Sequence, residues 1–364
     1  MKRIRVLIVD DAVVVRRMVS DVLAADPGIE VVGTAANGRI GLQKIPQVNP
    51  DVVTLDVEMP ELDGLQTLKA IRETWKTLPV IMFSTLTERG ASETLTALSL
   101  GASDYVTKPA NVGSVALAQQ RIRDELIPKV KALCGVAPTP EPVVPLRPRP
   151  VLPPRPLTAG PTPALDRTPD IVAIGVSTGG PNALARLIPQ LPAGFPVPVV
   201  IVQHMPPMFT RLLGERLNAQ SPLAVREASE GEVVQAGSVY IAPGDYHLTL
   251  QRRGTSIVTH LTQDPPENSC RPAVDPLFRS VSQIYGPRAL GVVMTGMGQD
   301  GLRGSEDLVH AGSRVLAQDE ASSVVWGMPG YVARAGLADR VLPLDGLAPE
   351  IVRRCVRHAV AAVR

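Results

Sequence analysis

Short apolar runs alternate with helix-spaced segments along most of this chain. Near the N-terminus "RVLIVDD" reads as a buried strand, "VVVRRMVSDVLAAD" carries apolar residues at helical spacing, and "IEVVGTAAN" reads as a second strand. "DVVTLDVEMP", "PVIMFST" and "ASDYVTKP" supply three more strands, each followed by a helix-like stretch. Strands that are almost continuously apolar, alternating with helices, predict a parallel sheet covered on both faces. From Ala137 to Asp170 the pattern collapses into "APTPEPVVPLRPRPVLPPRPLTAGPTPALDRTPD". Proline this dense forbids a helix or a central strand, so the segment is expected to be an extended, semi-rigid spacer. A ligand for a proline-binding module is the other reading of such composition. After Asp170 the alternation resumes, with "IVAIGV", "VPVVIVQ", "GSVYIAP" and "ALGVVMTG" as strands. The strictly alternating "HLTLQRRGTSIVTHLT" predicts an antiparallel hairpin turning at Gly254. The expected fold is α/β: two doubly wound, mainly parallel-sheet domains over residues 1–125 and 169–364, with a helix end and proline-rich linker over 126–168.

Composition narrows the class. A chain of 364 residues is long enough for two domains, each with its own core. A net charge of +2 gives no reason to expect nucleic acid or an anionic membrane surface as partner. No apolar run approaches the roughly 20 residues needed to span a bilayer. The opening "MKRIRVLIVDD" is cut short by two aspartates, unlike a secretory leader, so the expected compartment is the cytoplasm. Cys134, Cys270 and Cys355 are scattered without metal-ligand spacing and imply no disulfide framework; each is expected to be structural or inert.

The first domain gathers charge at strand ends. Asp10 and Asp11 close the first strand, Asp56 the third, Ser84 the fourth and Lys108 the fifth. In a doubly wound sheet these positions meet in one crevice. Carboxylates crowded together there need a divalent cation and a lysine to neutralise them, and oxygen donors suit magnesium. An aspartate beside such an ion can attack a phosphoryl group, with Lys108 and Ser84 binding the added oxygens. The alternative, that each is a solvated loop residue, fits any one of them but not all five together. The pattern resembles the response-regulator receiver family across almost all of residues 1–125. That resemblance implies a flavodoxin-like fold, Asp56 as phospho-acceptor, and Mg2+ held by Asp10, Asp11, Asp56 and the Glu58 carbonyl. It implies a histidine kinase as phosphodonor, and Ser84 and Tyr105, with Lys108, as the phosphorylation switch. By composition alone Tyr105 is expected to be a half-buried aromatic.

In the second domain "GVSTGGPN" joins a strand to a helix. The glycine spacing is wrong for a dinucleotide fingerprint, the next strand ends in His204 rather than an acid, and no Lys-Ser or Lys-Thr pair follows to make a P-loop. "GVSTG" does fit a nucleophile elbow, with Pro181 in the first turn of the following helix and that helix N-terminus facing a developing oxyanion. Ser177 as a mere N-cap is the bland alternative. His204 follows the second strand in "IVQHMP", and Asp300 follows another in "VVMTGMGQDG". All three stand beyond the carboxyl ends of strands, where a nucleophile, its base and an orienting acid can converge. Asp300 could instead cap the helix beginning "GLRGSEDL", and His204 could be a satisfied structural residue. The chain order Ser…His…Asp differs from that of the α/β-hydrolases.

At these residues, and at "YIAPGDYHL", "CRPAVDPLFRS" and "AQDEASSVVWGMPG", the chain is similar to the chemotaxis protein-glutamate methylesterases over most of residues 170–345. The resemblance implies a Rossmann-like esterase domain that hydrolyses glutamyl methyl esters on the cytoplasmic helices of methyl-accepting chemoreceptors, releasing methanol, and deamidates receptor glutamines. It implies Ser177, His204 and Asp300 as catalytic triad, Thr178 orienting His204, and the backbone near Met297 assisting the oxyanion hole. No cofactor is expected for ester hydrolysis. The linker is longer and richer in proline than that family suggests. Two other readings stay open: the same enzyme serving a non-motility sensory array, and a phospho-dependent receptor-binding adaptor without turnover.

Overall fold

The computed structural model describes residues 3–108, 114–135 and 168–356. The proline-rich stretch and Pro109 lie outside the described residues, as does His358. The first unit runs β1 (Ile4–Val9), α1 (Val13–Ala24), β2 (Ile29–Ala35), α2 (Gly38–Val48), β3 (Val52–Asp56), α3 (Gly64–Thr74), β4 (Val80–Ser84), α4 (Glu88–Ser99), β5 (Asp104–Thr107) and α5 (Val115–Leu133). Its sheet order is β2-β1-β3-β4-β5, every pair parallel. β3 and β4 are buried at every position, as their unbroken apolar runs require of strands covered on both faces. Strand order reverses between β1 and β3, and Asp10 and Asp56 come out of the sheet at that point.

The second unit begins with β6 (Ile171–Val176), α6 (Gly180–Leu187), β7 (Val199–Gln203), α7 (Phe209–Gln220), β8 (Ala224–Glu227) and β9 (Ser238–Ile241). It continues with β10 (His247–Arg253), β11 (Ser256–Thr262), α8 (Val274–Tyr285), β12 (Ala289–Val293), α9 (Leu302–His310), β13 (Arg314–Gln318), α10 (Met328–Arg334), β14 (Arg340–Leu342) and α11 (Leu344–Cys355). Seven parallel strands lie in the order β14-β13-β12-β6-β7-β9-β8. The expected hairpin is present as β10 and β11, antiparallel, with Gly254 at φ +61° in its turn, and it forms a separate two-stranded ribbon. The sheet's switch point lies between β6 and β12. Ser177, His204 and Asp300 follow β6, β7 and β12, so all three open into that crevice.

The two units are docked. α4 and β5 of the first face α6 and α7 of the second, and one buried apolar cluster runs through both. Tyr105 of β5 stacks on Phe209 of α7, ring centroids 4.9 Å apart and planes 7° from parallel. Tyr105 is only 6% exposed, so the half-buried expectation is corrected: the second unit covers what the first leaves open. Around the stack, Asn182 Nδ2 donates to Leu98 O (2.7 Å), Arg216 Nη1 to Leu95 O (2.8 Å) and Arg211 Nη2 to Glu88 Oε1 (2.6 Å).

Candidate active site and acidic pocket

The turn after β6 has its special conformation at Gly179, at φ +78°, where a side chain would also meet Val324. Gly179 is the N-cap of α6 and no side chain caps that helix, so the N-cap reading of Ser177 is set aside. Gly296 packs against Ser177: a Cβ there would stand 2.8 Å from Ser177 Cβ and 2.4 Å from Met328 Sδ. The backbone after β12 therefore runs directly beside the serine. Met297 follows, half-buried, and its N–H has no hydrogen-bond partner among the described residues.

His204 donates from Nε2 to Asp300 Oδ2 at 2.8 Å. Asp300 is 2% exposed and is bonded on both oxygens. Oδ2 also accepts from Val274 N (2.7 Å); Oδ1 accepts from Asp275 N (3.1 Å), Gly301 N (2.9 Å) and Asn268 Nδ2 (2.9 Å). Val274 and Asp275 open α8, so Asp300 does bind a helix start, but that of α8 rather than the helix that follows it in sequence. Burial opposes its charge; the imidazole and these N–H groups outweigh burial and hold its carboxyl below the usual range. Neighbouring Asp275 goes the other way, pushed up to about 6 by burial and by the Asp300 charge.

Two sequence expectations are corrected here. The other imidazole nitrogen, Nδ1, faces Cys270 Sγ at 3.5 Å, so that thiol is not a bystander. Among the described residues the Ser177 hydroxyl has no hydrogen bond, neither to His204 nor elsewhere. Thr178 does not orient His204 either: its Oγ1 donates to Asp104 Oδ2 of the first unit at 2.9 Å. The cause is the docking, which brings Asp104 to the residue next to Ser177. Burial works against charge on His204, yet the Cys270 sulfur and the Asp300 carboxylate prevail and push it up to about 10. Sequence reasoning missed Cys270 and Asn268, which a loop returns to the crevice, and Asp275 in the first turn of α8. It missed Asp104 and Phe209 because nothing local marks an interface. His247, by contrast, is a satisfied core residue, accepting from Ala273 N and donating to Pro265 O.

In the first unit Lys108 Nζ stands 2.6 Å from Asp56 Oδ2 and 3.0 Å from Asp10 Oδ2. Burial and the charge of Asp10 push Asp56 up to about 6, with Lys108 pulling the other way. Asp10 is raised too, chiefly by burial. Ligand oxygens of Asp10, Asp11 and Asp56 lie within 4.8 Å of one another. The Oδ2 atoms of Asp10 and Asp56 are buried and have no partner other than the Lys108 ammonium. Such oxygen donors with unspent charge fit a hard divalent cation. Glu58 N donates to Asp56 Oδ1 at 3.3 Å. Ser84, fully buried, donates to Gly90 O at the start of α4 (3.0 Å), away from the carboxylates.

Known proteins place this architecture. Residues 172–351 match the family "CheB methylesterase" and residues 6–118 the "response regulator receiver domain". A protein-glutamate methylesterase/protein-glutamine glutaminase of Trichodesmium erythraeum is 55% identical over 97% of this chain and 99% of its own. One of the same name from a Nocardioides species is 54% identical over 100% and 98%. The crystal structure of the Thermotoga maritima CheB methylesterase catalytic domain covers 51% of this chain and 98% of its own, at 44% identity and a TM-score of 0.50. With parallel-sheet units in that order and relatives matching end to end, the chain belongs to the CheB methylesterase family, its esterase domain preceded by a response regulator receiver domain.

Proposed function

We propose that this protein hydrolyses methyl esters of glutamate side chains on chemoreceptor helices, deamidates receptor glutamines at the same site, and is switched on by phosphorylation of its receiver. The observation that carries the reading is the His204–Asp300 pair beside Ser177 at the switch point of the esterase sheet. In this mechanism Ser177 Oγ attacks the ester carbonyl while His204 Nδ1 accepts its proton. The N–H groups around Met297 and the start of α6 receive the oxyanion. The tetrahedral intermediate collapses as His204 returns the proton to the departing methanol, or to ammonia from glutamine. Water then attacks the acyl-enzyme, with His204 again as base. Asp300, fixed as a carboxylate, sets the tautomer and supports the imidazolium.

An imidazole held between Cys270 and Asp300 keeps its proton, so turnover requires Nδ1 to exchange the sulfur for the Ser177 hydroxyl. The docked receiver opposes this by engaging Thr178 and covering the crevice edge. We assign Asp56 as the phospho-acceptor. Asp10, Asp11 and Asp56, with the Glu58 carbonyl, would hold Mg2+, and the bound ion would supply charge neutralisation among the carboxylates while Asp56 accepts a phosphoryl group from a histidine kinase donor. Among the described residues no helix is long and apolar enough to cross a membrane, in keeping with a cytoplasmic enzyme acting on receptor helices.

Ser177→Ala tests the chemistry. Methanol release from methylated receptor membranes should fall by on the order of a millionfold, with circular dichroism unchanged. A rate within about tenfold of the parent would remove Ser177 from the mechanism. The adaptor reading predicts that loss of Ser177 leaves the protein's signalling role intact.

A further inference from the structure

The loop from β11 to α8 closes in a tight turn at Glu267–Cys270. Glu267 N donates to Cys270 O and Cys270 N to Glu267 O, at 3.2 and 2.9 Å. The two central residues, Asn268 and Ser269, have φ of +51° and +61°, the geometry of a two-residue turn of the primed type, in which asparagine is favoured. Glu267 anchors the turn to α8 through both carboxylate oxygens on Arg279, at 3.1 and 3.0 Å. So fixed, the turn touches both members of the His204–Asp300 pair. Cys270 lies on the imidazole, and Asn268 Nδ2 donates at 2.9 Å to Asp300 Oδ1 and at 2.9 Å to Asp275 Oδ2. The amide orientation is not ambiguous, since an oxygen in that place would face two carboxylates.

We propose that Asn268 is a positioning residue for catalysis: its amide roofs the buried Asp275 and Asp300 carboxylates and fixes which Asp300 oxygen faces His204. The proposal rests on the Ser177–His204–Asp300 reading. Asp300 has two oxygens and five donors. The Asn268 bond fills Oδ1 alongside Asp275 N and Gly301 N, leaving Oδ2 for the ring and Val274 N. A second effect is electrostatic. Asp275 and Asp300 are both buried, 3% and 2% exposed, and the shared amide places a positive dipole end between them. Asn268 itself is solvent-exposed, so its removal admits water over Asp300 and leaves the core untouched.

Two substitutions suit the left-handed backbone. Asn268→Gly removes the side chain without straining the left-handed backbone, and Asn268→Asp keeps its shape while exchanging the donor for a third negative charge. Both go into the full chain, assayed for methanol release with Mg2+ and a small phosphodonor, beside His204→Ala. Groups facing His204 are Asp300 and Cys270, with Asp275, the Glu267–Arg279 pair and Asp245–Arg271 behind them. Added negative charge favours the imidazolium, so the acid limb of the Asn268→Asp profile should move to higher pH. kcat should fall about tenfold or more in both variants with KM within about twofold of the parent. The Asn268 proposal is overturned if kcat stays within about twofold of the parent, or if kcat falls while the Asn268→Asp acid limb stays in place. An active His204→Ala would instead sink the triad reading, whereas an inactive one with parent-like Asn268 variants sinks only this proposal.

Discussion

At the residue scale, the proposed mechanism turns on what His204 can accept. Its Nε2 is committed to a carboxylate that the ring itself and the N–H groups of α8 hold ionised, and its Nδ1 rests on Cys270. Both neighbours favour the imidazolium, while a base must be neutral at the working pH. Removing the sulfur removes part of that preference and leaves the Asp300 contact alone. Cys270→Ala should therefore lower the His204 pKa and shift the acid limb of the pH–rate profile to lower pH. Methanol release at neutral pH should be kept or raised. The measurement is kcat against pH on the phosphorylated chain. A limb that stays put, or moves upward, would show that Cys270 does not set the proton affinity of the base. The same logic explains why sequence inspection stopped short here. "IVQHMP" and "MTGMGQDG" announce His204 and Asp300 because strand ends converge at a switch point, a rule that works from local pattern alone. Asn268 and Cys270 come to the same place through a turn whose destination depends on Glu267 finding Arg279 on α8. No local signal in "PPENSCRPAVD" says so.

At the scale of elements, the parallel sheets were legible because every core strand is a short apolar run. β6 and β7 are buried at every position, and the alternation of β10 and β11 gave their hairpin and its turn. The interface was not legible, because its residues look like ordinary members of their own elements. Asp104 and Tyr105 are two positions of a four-residue strand, and Phe209 is the first residue of a helix. Magnitudes separate the contacts that matter there. The Arg211–Glu88 pair is exposed on both sides, so solvent and salt screen it and it adds little. The Tyr105–Phe209 stack is buried and adds about 0.5–1.5 kcal/mol beyond the area it covers. The Thr178–Asp104 bond is buried and its acceptor carries charge, with Lys129 Nζ 3.2 Å from the same oxygen. Such bonds contribute about 1.5–3 kcal/mol. Tyr105→Ala or Asp104→Ala in the unphosphorylated chain should raise basal methanol release about fivefold or more, and Glu88→Ala should leave it within about twofold. If neither interface variant exceeds the Glu88 control, the stack and the bond do not restrain the esterase.

At the scale of the molecule, β5 and β4 tie the acidic pocket to the esterase crevice. Lys108, next after β5, ion-pairs with Asp56, while Asp104 and Tyr105 of the same strand touch Thr178 and Phe209. Ser84 at the end of β4 donates to Gly90 O in the first turn of α4, the helix that packs on α6 and α7. A phosphoryl group on Asp56 offers Lys108 and Ser84 stronger acceptors than those they now use. Drawing them in would pull β5 and release the start of α4, at opposite sides of one interface. For phosphorylation to open the crevice, the phosphorylated receiver must favour the undocked state. A coupling of about 1–3 kcal/mol corresponds to roughly 5–150-fold activation. A fragment beginning near Asp170 lacks the receiver and should be active without phosphodonor, at a rate that Mg2+ and phosphodonor do not change. The full chain should start lower and rise towards it only when both are supplied, and Asp56→Asn should stay low throughout. Methanol release from fragment and full chain, each with and without phosphodonor, measures all of this. Equal rates in the four assays would mean that the docked receiver is a passenger, while leaving Ser177, His204 and Asp300 to be judged by their own substitutions.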